Sequence, residues 1–393
     1  MWRNLASNLL SLLVLVMIVA AGAIAWAKHE YTSAGPSKVA ACVQVAPGAS
    51  LSAISEQLAD QGVVSSSYIF RAGADYSGKA RGLKFGSYLM PAGASMEQVV
   101  ATITAGGPST CGTEVTLRIG VRENAVILRD MDPATGQYAE MMKYDPALSA
   151  APEVMVKAAE KPDARLRVAV AEGVTSWQIV EGLKAATFMS GDVGKVPGEG
   201  MLAPDTYEVK KDADREALLA EMASKQAVIL QTAWDGRAEG LPYKTPEEAL
   251  IMASIVEKET GVADERPVVA SVFVNRLNRG MRLETDPTVI YGVTKGQGVL
   301  DRGLRRSELR TRTRYNTYVI EGLPPTPIAN PGKAAIEASL HPAQTDFIFF
   351  VADGTGGHAF GRTLEEHNAN VARWRAIEAE RGQPTDSPVQ GAQ

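Results

Sequence analysis

The sequence is short of the groups that most often mark metal and nucleophile chemistry, with four histidines and two cysteines in 393 residues. His29, His341, His358 and His367 lack the i, i+4 pairing of a helical zinc site, and neither Cys42 nor Cys111 stands beside one. No catalytic metal and no cofactor is therefore expected. There is no Gly-x-Ser-x-Gly elbow and no Ser-x-x-Lys paired with Lys-Thr-Gly, which argues against serine-nucleophile chemistry. "GTGGHAFG" lacks the Gly-x-x-x-x-Gly-Lys spacing that cradles a phosphate, so its glycines are read as a tight turn. An excess of positive charge is missing too: 40 Lys and Arg stand against 45 Asp and Glu, a net charge of −5. That leaves no basic face for a nucleic-acid duplex or an anionic membrane surface, and it suits a neutral polymer as substrate.

Long apolar runs are also absent, with one exception. "LLSLLVLVMIVAAGAIAWA", Leu9–Ala27, carries no charge and is just long enough to cross a bilayer as a helix. Arg3 and the amino terminus favour a cytoplasmic start, although Lys28 follows on the far side. "AWA" at Ala25–Ala27 resembles a signal-peptidase site, but the run exceeds the usual signal core, so an uncleaved single-pass anchor is the preferred reading. Both readings export the remainder. Cys42 and Cys111 then lie in an oxidising compartment, which favours a disulfide between them over two buried free thiols.

With 45% apolar and 22% charged residues the chain is long enough for two or three domains. Residues 1–8 read as a cytoplasmic N-terminus, 9–27 as the transmembrane anchor, 28–42 as a short polar linker and 379–393 as a flexible tail. Residues 43–107 read as a small α/β unit with the order strand, helix, helix, strand, helix. "VQVAPGASLSAISEQLAD" has an echo in "LRVAVAEGVTSWQIVEGLKAA", which repeats the strand, the Gly turn and the Ser/Thr-capped helix. Residues 108–165, a variable connecting segment, are read as strands such as "TEVTLRIG" and "NAVILRDMD" joined by turns, with no assigned chemistry. Beyond residue 280 the chain is read largely as loops carrying Asp286, Tyr291, Tyr315, Asn316, Tyr318, Asn330, His358 and Asn368, an amide and aromatic mix suited to a sugar surface.

What remains is carboxylate chemistry. "TPEEALIM" reads as a helix start, with Thr245 as N-cap and Glu248 at capping-box spacing, so a helix is expected from Pro246 to about Thr260 with Gly261 as its stop. Leu250, Ala253, Ser254 and Glu257 then share a face. Glu257 and Glu259 point to nearly opposite sides and cannot form the carboxylate pair of a glycosidase. Glu284 or Asp286 can supply a partner. Alternatively, one glutamate suffices if a substrate hydroxyl attacks the anomeric carbon, since an intramolecular nucleophile replaces the activated water.

"LIMASIVEKETGVADERPVVASVFVNRLNRGMRLETDPTVIYG", residues 250–292, closely resembles the hallmark of endolytic murein transglycosylases of the MltG, or YceG-like, family. "EGMLAPDTYEV", "YNTYVIEGLPPTPIANPG" and "LHPAQTDFIFFVADGTGGHAFGRTLEEHN" resemble that family in the same order. The resemblance implies an α+β protein: an N-terminal transmembrane helix, a LysM-like subdomain at 43–107 and a mixed α+β catalytic domain at 166–378. It implies a lyase that cleaves the N-acetylmuramic acid to N-acetylglucosamine β-1,4 bond of nascent glycan strands without water, leaving 1,6-anhydro ends and terminating elongation. It places the catalytic glutamate at Glu257. Our reading adds Ser254, one turn back, to orient it, and Asn275, Asp286, Tyr291 and Asn316 to hold substrate, while Arg276 and Arg282 are read as salt-bridge partners. The implied partners are peptidoglycan strands and peptidoglycan synthases (penicillin-binding proteins), and the implied location is the outer face of the bacterial cytoplasmic membrane. A non-catalytic peptidoglycan-binding scaffold and a two-carboxylate hydrolase remain open as alternatives.

Overall fold

A computed structural model describes residues 2–382, with side chains from residue 7. Met1 of the expected cytoplasmic segment and residues 383–393 of the expected tail lie outside the described residues. The protein is mixed α+β and forms two compact units: one from residues up to 115 with 127–143 and 152–166, the other from 116–126, 144–151 and 167 onward.

The first unit begins with α1 (Trp2–Thr32); an 18-residue window within its stretch Ser7–Thr32 has a mean hydropathy of 2.6 and is unburied, as an apolar helix suited to a bilayer would be. The helix does not stop at Ala27. Residues 28–32, expected to start a loose linker, complete its last turns because they have something to pack on: the Tyr31 ring lies against Gly73, where any Cβ would meet its ring carbon at 2.1 Å. Glu30 also accepts from Ser65. Then follow β1 (Ala41–Val45), α2 (Leu51–Asp60), α3 (Ser67–Tyr76), β2 (Gly86–Met90) and α4 (Met96–Ala105), in the expected order. β1 and β2 pair antiparallel, and Val43, Leu58, Phe70, Val99 and Ile103 close a core beneath them. Full burial of side chains of this size contributes about 1.5–3 kcal/mol each. Cys42 and Cys111 form a disulfide with their Cα atoms 5.9 Å apart.

The connecting segment supplies β3 (Thr113–Ile119), β4 (Asn124–Asp132), β5 (Gln137–Tyr144) and α5 (Glu153–Glu160), and the chain continues with β6 (Arg165–Val170), α6 (Ser176–Lys184), β7 (Met189–Ser190), β8 (Thr206–Val209) and β9 (Ala213–Asp214). A five-stranded sheet runs in the order β5-β4-β3-β6-β8. The internal echo is real and occurs three times. In each copy the residue three beyond the strand end is a left-handed glycine (Gly48, φ 74°; Gly93, φ 69°; Gly173, φ 77°), and two residues later Ser50, Ser95 or Thr175 caps the next helix. Positive φ at that turn position is what glycine supplies at least cost.

The second unit is dominated by helices: α7 (Arg215–Asp235), α8 (Pro246–Glu259), α9 (Arg266–Asn278), α10 (Asp286–Thr294), α11 (Arg306–Arg310) and α12 (Lys333–Leu340), with the antiparallel pair β10 (Phe349–Ala352) and β11 (His358–Gly361), and α13 (Leu364–Glu380). α8 is its axis. Thr245 accepts from the Glu248 amide at 3.3 Å, and Ala249–Val256 are all buried against α7, α9, α10 and α12. A helix apolar all round belongs in the centre of a core. It ends because Thr260 turns extended (ψ 132°), one residue before the expected glycine stop. α10 and α11 lie in the stretch read as loops. Pro287 in the first turn of α10 fixes its start, while a β-branched and glycine-containing helix of nine residues leaves little apolar period to read.

Candidate active site

Glu257 is half-buried in the last turn of α8, and its Oε2 accepts from the backbone N–H of Gly332 at 3.0 Å, at the N-terminus of α12. Burial raises its pKa above the usual carboxyl range, and the negative charge of Glu172 raises it further; the Gly332 N–H, Arg266 and Lys258 work against this. The turn before α6 completes the setting. Gly173 brings its backbone against α8, so that a Cβ there would touch Glu257 Cγ at 3.6 Å, and its carbonyl accepts from Lys258 Nζ at 3.2 Å. Glu172, next to it, reaches toward Arg266, 3.9 Å away. Burial holds the Lys258 pKa down, countered by Glu257 and Glu199. The two cations beside Glu257 line two different cavities: Arg266 one of about 750 Å³ between α7, α9 and α12, and Lys258 one of about 640 Å³ walled by Thr175, Gln178, Tyr291 and Arg302.

Chemically this is a carboxyl group whose proton burial helps to hold, with backbone and cationic donors at hand for the moment the proton leaves.

The YceG-like family profile matches residues 43–135 and 134–373, nearly the whole described chain beyond α1. The chain belongs to the YceG-like family. A Bacillus subtilis (strain 168) protein named endolytic murein transglycosylase is 30% identical over 335 residues, 84% of each chain. A Streptococcus pneumoniae (serotype 2, strain D39) protein of the same name is 31% identical over 224 residues, 51% of this chain and 39% of its own. Among solved structures, the yceG-like protein lmo1499 of Listeria monocytogenes is 26% identical, with 85% of this chain and 99% of that one covered at a TM-score of 0.45.

Within this YceG-like chain the other sequence-read residues scatter. Ser254 is fully buried, but its Oγ donates to Ile251 O at 2.7 Å and accepts from Ile328 N at 3.0 Å: it ties a loop to α8 and makes no hydrogen bond to Glu257. Asn275 donates to the carbonyls of Thr345 and Phe347 at 2.8 and 2.9 Å. Asn316 is fully buried and spends its amide on the carbonyls of Glu308, Leu309 and Thr311. Asp286 accepts from Tyr318 OH at 2.7 Å, and Glu284 pairs with Arg276 at 3.1 Å, so both carboxylates proposed as partners for Glu257 are engaged with other residues. Arg282 donates to Tyr318 O rather than to a carboxylate. Tyr291 is the one that lines the cleft beside Lys258; its hydroxyl donates to Glu199 Oε2 at 3.0 Å and its ring lies 4.9 Å from that of Tyr315.

Three residues escaped the sequence reading: Glu172, Lys258 and Glu199. Burial raises the pKa of Glu199, whose carboxylate is held by Ser176 N at 2.7 Å, by Tyr291 and by Asn330. A signal for Glu172 did exist. In the repeated turn its position is Pro47 in the first copy and Ala92 in the second, so a glutamate there is foreign to the turn. Glu259, on the far side of α8, accepts from Thr285 and sits with Asp286 and Arg276.

Proposed function

We propose that the chain is a membrane-anchored lytic transglycosylase acting on peptidoglycan. The single observation that carries this is Glu257: a carboxyl held toward its protonated form by burial, met by a backbone N–H, in a family whose named relatives are endolytic murein transglycosylases. Glu257 gives its proton to the glycosidic oxygen as the C1–O4 bond breaks, and the departing sugar leaves with a 4-hydroxyl. The resulting carboxylate takes the proton of the C6 hydroxyl as that oxygen bonds to C1, closing a 1,6-anhydro ring. No water is consumed, and Glu257 ends protonated for the next cycle. The Gly332 N–H, Lys258 and Arg266 stabilise the carboxylate between the two transfers. Residues 43–107 serve as a LysM-like glycan-binding module, and α1 holds the enzyme at the outer face of the cytoplasmic membrane, near the synthases that extrude new strands.

The test is mass spectrometry of murein digested by the full-length protein in detergent. Anhydro-ended fragments are expected, and Glu257→Gln, which keeps the shape and removes the proton, lowers their formation by at least ~10²-fold. Reducing ends instead would point to a hydrolase. Murein retained but uncut by the wild type would point to a binding scaffold.

A further inference from the structure

We propose that Glu172 is a positioning residue whose carboxylate, admitted to the site by the missing side chain of Gly332, acts through Glu257 to keep the catalytic proton in place. The inference rests on the transglycosylase reading of Glu257.

Two independent observations carry it. The first is the space at Gly332. This residue has φ −71° and ψ 165°, a backbone that any amino acid adopts, so conformational freedom does not explain a glycine there. Room does. A Cβ at 332 would lie 1.7 Å from Glu172 Oε1 and 2.2 Å from its Cδ. The Glu172 carboxylate occupies the volume a side chain would fill, while the N–H of the same residue donates to Glu257 Oε2 at 3.0 Å. Both carboxylates thus converge on one residue, within ~8 Å of each other by bond lengths alone.

The second is the repeated turn. Pro47 and Ala92 build the same strand–Gly–cap geometry without a carboxylate, so Glu172 is not there to make the turn. Its work is directed outward, at what faces it.

The charges around Glu257 define that work. Lys258 on α8 and Arg266 on α9 pull its proton off, as does the N–H at the α12 terminus. Lys333, next on α12, is paired to Glu337 at 3.4 Å, and Asp286 on α10 acts on Glu259 rather than on Glu257. Glu199 acts on Lys258. Glu172, with Arg266 3.9 Å away, is the anion that opposes the two cations at Glu257. Without it, burial alone would oppose the two positive neighbours and the N–H, and the Glu257 carboxyl would give up its proton at lower pH.

The experiment uses the full-length protein in detergent and two readouts: the pH profile of anhydro-end formation, and the pH dependence of carbodiimide labelling at Glu257, which reports the protonated carboxyl without turnover. A general acid loses activity as pH rises through its pKa. Glu172→Gln should therefore move both upper-pH midpoints downward by about half a unit to one unit. Gly332→Ala, which keeps the N–H and expels the Glu172 carboxylate, should do the same, and Glu172→Asp, which keeps the negative charge, should bring both midpoints most of the way back to wild type. Unmoved midpoints in Glu172→Gln, or a uniform loss of activity at every pH with labelling unchanged, would overturn the proposal. A wild type that makes no anhydro ends would sink the transglycosylase reading, while the labelling midpoints would still decide whether Glu172 governs the Glu257 proton.

Discussion

Asn330 offers the sharpest test of how the second unit is held around Glu257. It is fully buried, and its amide accepts from Leu202 N at 2.9 Å and donates to Val174 O at 3.0 Å, Ser176 Oγ at 3.2 Å and Glu199 Oε1 at 3.3 Å. Its backbone pairs with the turn as well, Gly173 N to Asn330 O and Asn330 N to Val174 O, both at 2.9 Å. Asn330→Ala leaves the backbone pairing and strips the rest. The orphaned Leu202 N–H costs about 1–3 kcal/mol and each lost neutral hydrogen bond about 0.5–1.5, so a destabilisation of about 3–5 kcal/mol follows. For a unit of this size that lowers the melting temperature by roughly 6–20 °C, read as the shift of its transition in a thermal melt. Asn330→Asp separates charge from shape, because it keeps the acceptor for Leu202 but sets a second carboxylate against Glu199. It should be milder as pH falls, because the two carboxyls then come to share a proton, than at pH 8. A melting temperature within about 2 °C of wild type for Asn330→Ala would refute the reasoning.

The disulfide joins residues 69 apart in sequence, so replacing Cys42 and Cys111 together by Ser should cost about 4 kcal/mol in the chain-entropy picture, read as a lowered first-unit transition. Melts that do not change on reduction would refute it. Glu259 has its pKa pushed up to about 7 by burial, above the ~4.3 of an unfolded glutamate, so the folded state holds this proton more tightly and loses stability as pH climbs from about 4 to about 7. Glu259→Gln should accordingly be more stable than wild type at pH 8 and nearly equal to it at pH 4; a difference independent of pH would count against the assignment.

Local signals carried far in this chain. The Thr245 cap, Pro246 and the apolar run placed α8 to within a residue of its observed end, and the Ser and Thr caps of α2, α4 and α6 marked their starts, because capping is chemistry between residues three apart. The N-terminal apolar helix was legible from its uncharged run, and the α+β class came with the family resemblance. At the candidate site, helix spacing placed Glu257 on the face of α8 that also carries Leu250, Ala253 and Ser254, and it is half-buried there. Ser254 has the right spacing, yet spacing fixes a helix face and not a hydroxyl rotor, and Oγ turned back to Ile251. Asn275 and Asn316 looked like sugar ligands by residue type, but loop carbonyls 70 or more residues away in one case, and five to eight in the other, claimed their amides first. Glu172 comes to Glu257 from another turn of the chain, a juxtaposition that no helical or strand period encodes.

The packing of Tyr31 on Gly73 has a mechanical meaning. An apolar helix that ends in a floppy tether is a leash, and the domain beyond it can drift through any orientation. Here the helix continues past its apolar stretch and is keyed into the first unit by a ring seated on a bare backbone, with Glu30 and Ser65 as a second fastening and Gly35 N bonded to Gly93 O at 3.1 Å as a third. α1 is therefore a mast. In a bilayer, a tilt or rotation of this helix would carry with it the parts of the first unit fastened to its end, Gly73 through Tyr31, Ser65 through Glu30 and Gly93 through Gly35.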